Sequence, residues 1–599
     1  MLPRTVLPTQ QSAKNHNIPA SVGGINALQS LAGMPPQDCI TCHNLMPSEY
    51  GMRLRSGYTE WAYTDDLNGY PVNTLIGFQG QESTAQDKLW AVTKEGIWDI
   101  TTFADTATQV VNFTTVSPQP SATRLASAGF GTFIEITNDA DERFLQYADE
   151  GFGLWQYQES VDAWLLTGTG QSDIDFTTSN PTLTLAPEDI VFVTTWKSRL
   201  WYITYGSGVA WYLGPSAISG AAEVFIFGSK LRHGGDLLAI YSWTIDGGRG
   251  IDDMLVAVGR GGDILVYQGY DPDDVTTFQL KGSWFLGEFP NSRRVGIDYG
   301  GEMYLLSTYG VMSLRDLMQG VDAGTTATTP SAKVNRFLRP VVEAGKTEKN
   351  WALQIFPGDG FLQIVAPYTQ SQSAIQYNQN LITRAWGLWE GVPVNCAVTW
   401  AGKYIVAGID GRVWEYTGTT DGGVLPTATE AAIPVIAQNG DSIVSESGLD
   451  TIIAETGEPA PVPSILGTAI SFDVITAFQA PGGDFSSNKR VGFIRPITIE
   501  TTPTTLNTKA IYDYAINTVV ETPAAAVIKV DTWQPTTVPP STGISDWNTA
   551  SWDFILTGNS STVGALGMGN TVAVAMRGSA SNRITFVGWD MSITSGGFF

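Results

Sequence analysis

Histidine and cysteine are scarce in this chain, with three of each in 599 residues. Three cysteines cannot build a disulfide framework. Three histidines (His16, His43 and His233) leave few candidates for the base that a catalytic nucleophile needs beside it. Long apolar runs are also missing: no stretch of about 18 consecutive apolar residues occurs, so no membrane span is expected. The N-terminus, MLPRTVLPTQQSAKNHNIPA, lacks an apolar core followed by a small-residue cleavage site, and no secretory signal is expected from it. Basic charge is short too. With 33 Lys and Arg against 58 Asp and Glu, the formal charge is −25, which offers no footprint for neutralising phosphates. Such a surface would let nucleic acid slide past without sticking, and it serves the solubility of a large protein equally well.

What is plentiful points to one fold class. Glycine (64) and proline (31) punctuate apolar runs rich in Thr, Val, Ile and Trp, the bias of turn-rich all-β proteins. One phrase recurs: an apolar strand, a turn containing Gly or Asp, and a second strand ending near an aromatic. It reads LWAVTKEGIWDIT at 89–101, RLWYITYGSGVAWYL at 199–213 and MLVAVGRGGDILVYQG at 254–269, and returns as MYLLSTYGVMSL at 303–314 and KYIVAGIDGRVWEYTG at 403–418. Each copy alternates apolar and polar residues on both sides of a tight turn, the period of a half-buried hairpin. Hairpins repeating about every 50 residues have the spacing of β-propeller blades. Blade starts are read near Leu89, Phe133, Leu200, Met254, Met303, Phe361 and Lys403.

The expected architecture is all-β. Residues 1–60, Pro- and Gly-punctuated with little alternation, form an extended N-terminal arm that docks on something else. Residues 61–420 form the β-propeller, and 421–465 a linker or long loop. Residues 466–599 form a C-terminal β-sandwich or platform, with strands read at 469–478, 490–500, 509–516, 526–533 and 582–593. Sheet edges in that last region suit subunit contacts.

The motifs that could carry chemistry are weak. Cys39-Ile-Thr-Cys42-His43 spells the c-type haem attachment pattern, but it stands alone in a Pro-rich arm without an export signal, as an accidental spelling would. The same three residues could begin a zinc site, yet Cys396, the remaining cysteine, sits far away in a strand-like run. DGGRGIDD at 246–253 and DPDD at 271–274 offer oxygen ligands for calcium without EF-hand spacing, and turns in which Asp bonds its own backbone are the commoner use. The glycines of VGRGGD at 258–263 fall inside a hairpin, not between a strand and a helix, so they form no phosphate loop. Trp90, Trp98, Trp155, Trp201, Trp211, Trp386, Trp389 and Trp414 could stack on sugars, although filling the wedges between blades is the simpler use of such rings. No catalytic, cofactor-binding or metal-binding residue and no cofactor is assigned.

Residues 23–58, GGINALQSLAGMPPQDCITCHNLMPSEYGMRLRSGY, resemble the N-terminal signature of tail nozzle (tail tubular protein B) proteins of short-tailed bacteriophages. The matching positions are Gly23, Gly24, Asn26, Met34, Pro35, Pro36, Asp38, Asn44, Pro47, Gly51, Arg53, Arg55 and Gly57, while Cys39 replaces the usual Ala. The likeness continues through 233–274, 384–391, 408–423 and FDVITAF further on. The resemblance implies a non-enzymatic structural virion protein, made in the host cytoplasm. It implies a homohexameric ring at the distal end of the tail tube beneath tail adaptor and portal-side proteins, with room for tail fibres to dock. Genomic DNA would pass through the lumen without specific binding. The alternative is a carbohydrate-binding or glycan-degrading tail component on the same scaffold.

Overall fold

In the computed structural model, side chains are described over most of residues 13–109, 191–422, 467–516 and 567–595, with short internal gaps. Backbone is described for further strands between 110 and 190, around 435–443 and between 517 and 564. Among the described residues, seven antiparallel strand sets follow one another along the chain, the last two joined through other strands into one 15-stranded sheet. Blade 1 is Thr74–Phe78, Lys88–Thr93, Gly96–Asp99 and Thr108–Asn112. Blade 2 is a six-stranded meander from Leu125–Phe130 to Thr169–Gly170. Blade 3 is Ile190–Trp196, Arg199–Thr204, Val209–Tyr212 and Glu223–Ile226. Blade 4 is Leu237–Asp246, Ile251–Gly259, Asp263–Gln268 and Gln279–Phe285. Blade 5 has three strands, Gly296–Tyr299, Glu302–Ser307 and Gly310–Ser313, followed by the helices Leu314–Met318 and Asn335–Ala344. Blade 6 is Ala352–Phe356, Phe361–Val365, Ile375–Asn380 and Trp386–Glu390.

Blade 7 is built from both sides of the chain. Cys396–Trp400, Lys403–Ala407 and Arg412–Tyr416 supply three strands, and the fourth is Tyr58–Tyr63, which pairs antiparallel with Arg412–Tyr416. The first strand of each sheet packs on the first strand of the next, and the circuit closes where Cys396–Trp400 meets Thr74–Phe78. A closed circuit of radially arranged sheets is a β-propeller, which leaves only short edges to protect. All seven blade starts read from the sequence fall on or beside the second strand of a blade. Those strands sit between two paired neighbours and are buried along almost their whole length, so they carry the strongest apolar runs.

Aromatic rings fill the wedges. Trp90, Trp98, Trp201, Trp211, Trp386, Trp389 and Trp414 are buried, while the Trp155 side chain lies outside the described residues. In blades 6 and 7 the Trp389 ring stacks on Tyr416 at 5.3 Å and meets Phe361 edge-on at 5.0 Å. Each such ring removes 150–250 Å² from water, on the order of 4–6 kcal/mol of transfer free energy.

The C-terminal strands form two sheets over a shared core. One sheet places Thr468–Thr476 next to Val572–Ala580, which pairs in turn with Leu506–Tyr512. The other pairs Lys489–Glu500 with Ile584–Ser595 along most of their length. Phe472 of the first meets Phe586 of the second at 5.3 Å.

The N-terminal segment, expected as an arm, is woven into these sheets of its own chain. Lys14–Pro19 pairs with Ile584–Ser595, as does Gly51–Leu54 further along, and Asp38–His43 pairs with Thr468–Thr476. The physical reason is edge satisfaction: without these strands, the backbone of Ile584–Ser595 and Thr468–Thr476 would be an open template. Residues 424–434 and 444–466, read as linker or loop, lie outside the described residues.

Candidate functional site

The strand Asp38–His43 is the natural place to begin, because it carries the one letter-perfect motif. All six of its residues are buried. Cys39 and Cys42 belong to the core shared by the two C-terminal sheets, and burial, followed by a hydrogen bond with Cys42, pushes the Cys39 thiol up. Sulfurs enclosed in a strand interior cannot reach the edge of a porphyrin, so this geometry does not fit haem attachment. Cys396 is buried against Val72, whose carbonyl accepts from its Sγ at 3.4 Å. Among the described residues no group of three His, Cys, Asp or Glu side chains is arranged to hold a metal ion.

The acidic turns have structural partners. Asp271 pairs with Arg199 at 3.0 Å, the Tyr212 hydroxyl donates to Asp273, and Asp274 accepts from the backbone of Thr276 at 2.8 Å in its own turn. In 246–253, Asp253 accepts from Thr244 at 2.7 Å, and residues 247–250 lie outside the described residues. The segment 258–263 turns from the second to the third strand of blade 4, inside a hairpin.

His43 marks a site that no local motif announces. A cleft of about 1000 Å³ opens between blade 6 and the outer face of the sheet that contains Thr468–Thr476. Strand register lines up one row of side chains across it. His43 lies opposite Asp473, Asp473 opposite Arg577, and Arg577 opposite Asn507. The His43 Nδ1 is 3.2 Å from Asp473 and 3.8 Å from Glu390 of blade 6. Thr41 donates to the other Asp473 oxygen at 3.2 Å. Arg577 is drawn down by partial burial, against which Asp473 acts. Hydroxyl and amide groups of Ser471, Thr505, Ser579 and Asn582 complete the lining.

The wall beside this row is the junction of three chain segments. Arg55 is buried and donates to Asp421, to the Asn44 side chain and to the Glu390 carbonyl. Burial works against its charge, and the hydrogen bonds and the negative charge of Asp421, with Tyr58 and Tyr416, together outweigh it, so the guanidinium titrates above its ordinary value. Asn44 donates onward to the Ser471 carbonyl at 2.7 Å. Asp38 accepts from Lys333 at 2.9 Å and Asn26 at 2.6 Å. Two glycines are required by close approach: a Cβ on Gly24, which has φ 70°, would stand 2.7 Å from the Trp386 nitrogen, and one on Gly57 would overlap the Thr420 backbone.

Chemically, the cleft can hold and orient a polar group through hydrogen bonds. Among the described residues its lining is mostly polar, with Phe472 the one large aromatic side chain. The sequence reading missed the cleft because its members come from six separate stretches of the chain, brought together by strand register and by the packing of blade 6.

No family model matches the chain, and no curated protein matches it. Among solved structures, the chain is similar to YCF48 from Cyanidioschyzon merolae, with 12% identity, TM-score 0.32, and 60% of this chain and 98% of that one covered. It is similar to the Nup133 β-propeller domain of Vanderwaltozyma polyspora at 12% identity, TM-score 0.32, with 61% and 97% covered. It is also similar to Sqt1 of Saccharomyces cerevisiae at 12% identity, TM-score 0.31, with 60% and 99% covered. The propeller assignment rests on the strand pairing described above.

Proposed function

We propose that this protein is a structural virion component, the tail nozzle subunit of a short-tailed bacteriophage. Six copies would form a ring at the distal end of the tail tube, below tail adaptor and portal-side proteins, and genomic DNA would leave through its lumen. One observation carries the reading: the residues of the N-terminal signature serve architecture rather than chemistry. Gly24 and Gly57 permit backbone contact, Asp38 and Arg55 are the buried members of ion pairs with Lys333 and Asp421, and Asn44 bridges blade 6 to the C-terminal strands. A signature whose members tie a propeller to its neighbouring sheets suits a part that bears mechanical load. The charge of −25 agrees with a wall past which a duplex slides.

The test is a phage carrying an epitope tag on this protein, imaged by negative-stain electron microscopy with a labelled antibody. Label at the distal tip of the tail, and DNA-filled particles that fail to infect when the gene is deleted, are expected. Label elsewhere, or a purified chain that depolymerises host glycans, would overturn it.

A further inference from the structure

We infer that blade 4 carries both halves of a head-to-tail contact between copies of this chain, with a basic aromatic socket at one end and an acidic knob at the other. The socket is unusual in so acidic a protein. Lys230 and Arg232 project, exposed, from the loop that enters blade 4, and no ion pair is recorded for either among the described residues. The next residue, His233, packs tilted against the Phe285 ring at 4.1 Å and is held by Asp263 at 2.8 Å. Phe285 is 42% exposed, and so is Tyr309 at 39% across Gly287, where Arg339 lies over its ring at 5.5 Å. Exposed rings interleaved with unpaired cations form a surface that takes a partner with carboxylates and apolar groups together.

This chain presents such a partner at the far end of the same strand. Asp263–Gln268 begins under the socket and leads into the turn at 270–276, about 17 Å away by strand rise. There Tyr270 is 64% and Val275 81% exposed, beside Asp273, Asp274 and Glu223. The knob is rigid: Asp271 is pinned by Arg199 of blade 3, and Asp273 accepts from Tyr212. Opposite charge at opposite ends makes the contact heterologous, and such contacts close into rings when the rotation between copies allows. The inference rests on the proposed function only in taking a ring as the product; the charge complementarity stands by itself.

The experiment is sedimentation velocity of the full chain at low and high ionic strength. The wild type is expected to self-associate more strongly at low salt. Lys230→Glu with Arg232→Glu, or Asp273→Lys with Asp274→Lys, should each weaken association by at least about tenfold, because like charges then face each other. Both pairs in one chain should restore it, which separates the contact from misfolding. A wild type that stays monomeric at low salt and its highest soluble concentration, or variants that associate like it, would overturn the inference. So would a labelled DNA duplex that binds the wild type and loses affinity with the socket variant while self-association is unchanged. Virions that carry the variants in normal rings would remove this contact and leave the nozzle reading standing.

Discussion

Arg55 and Asp421 meet as a two-pronged pair: Nη1 donates to Oδ1 at 2.7 Å and Nη2 to Oδ2 at 2.6 Å. The arginine belongs to the N-terminal segment, and the aspartate lies on Thr420–Gly423, beyond the last blade. Together they fix the point where propeller, N-terminal strands and C-terminal sheet converge.

Removing the anion should therefore cost more than exchanging the cation. Asp421→Ala leaves a buried guanidinium without its partner, and breaking a buried pair in this way costs about 3–5 kcal/mol. Arg55→Lys loses the fork geometry and should also destabilise. Urea unfolding midpoints would show the order Asp421→Ala below wild type, with Arg55→Lys between them.

A proline at Ala62 should open the ring. Ala62 lies opposite Val413 in the strand that completes blade 7, and proline there removes a ladder donor, at about 3 kcal/mol or more. Limited proteolysis is expected to cut the Ala62→Pro variant within 396–416 faster than the wild type. Equal cutting would argue against closure by this strand.

The three thiols should be inert in the native state. All are buried, and burial raises Cys39 away from its reactive thiolate form. Titration with an aromatic disulfide reagent at neutral pH should show almost no reaction until denaturant is added, and then three equivalents.

Acid should loosen the N-terminal strand. Hydrogen bonds from Arg495, then Asn17, hold Asp590 below the usual carboxylate range. A depressed folded value means that this contribution is present above the unfolded value of about 3.9 and lost as pH falls through the folded one. Asp590 is only partly buried and its partner Arg495 is 43% exposed, so solvent screens the pair and the effect is small. Comparing Asp590→Asn with wild type, the difference in urea midpoint at pH 6 should vanish at the most acidic pH tested.

The hairpins were legible in the sequence because each announces its own partner across a short turn. Leu89 and Lys403 could be placed on blades by alternation alone. Tyr58–Tyr63 could not be assigned, since the Glu60 carboxylate meets Arg412 across 352 residues and no turn names the pairing. The helix Asn335–Ala344 in blade 5 was also hidden, its internal Pro340 arguing against a helix. The row His43, Asp473, Arg577 and Asn507 exists only once four strands are in register. A one-residue slip of any strand would turn its member to the other face.

Because blade 7 borrows its last strand from the start of the chain, the ring cannot be completed in the order of synthesis. Tyr58–Tyr63 leaves the ribosome early and stays unmated until Arg412–Tyr416 has followed it out. Pairings between such remote segments are slow and leave sticky edges open meanwhile. Closure of the propeller thus starts from a nearly finished polypeptide, and chaperone supply rather than translation speed should govern its yield.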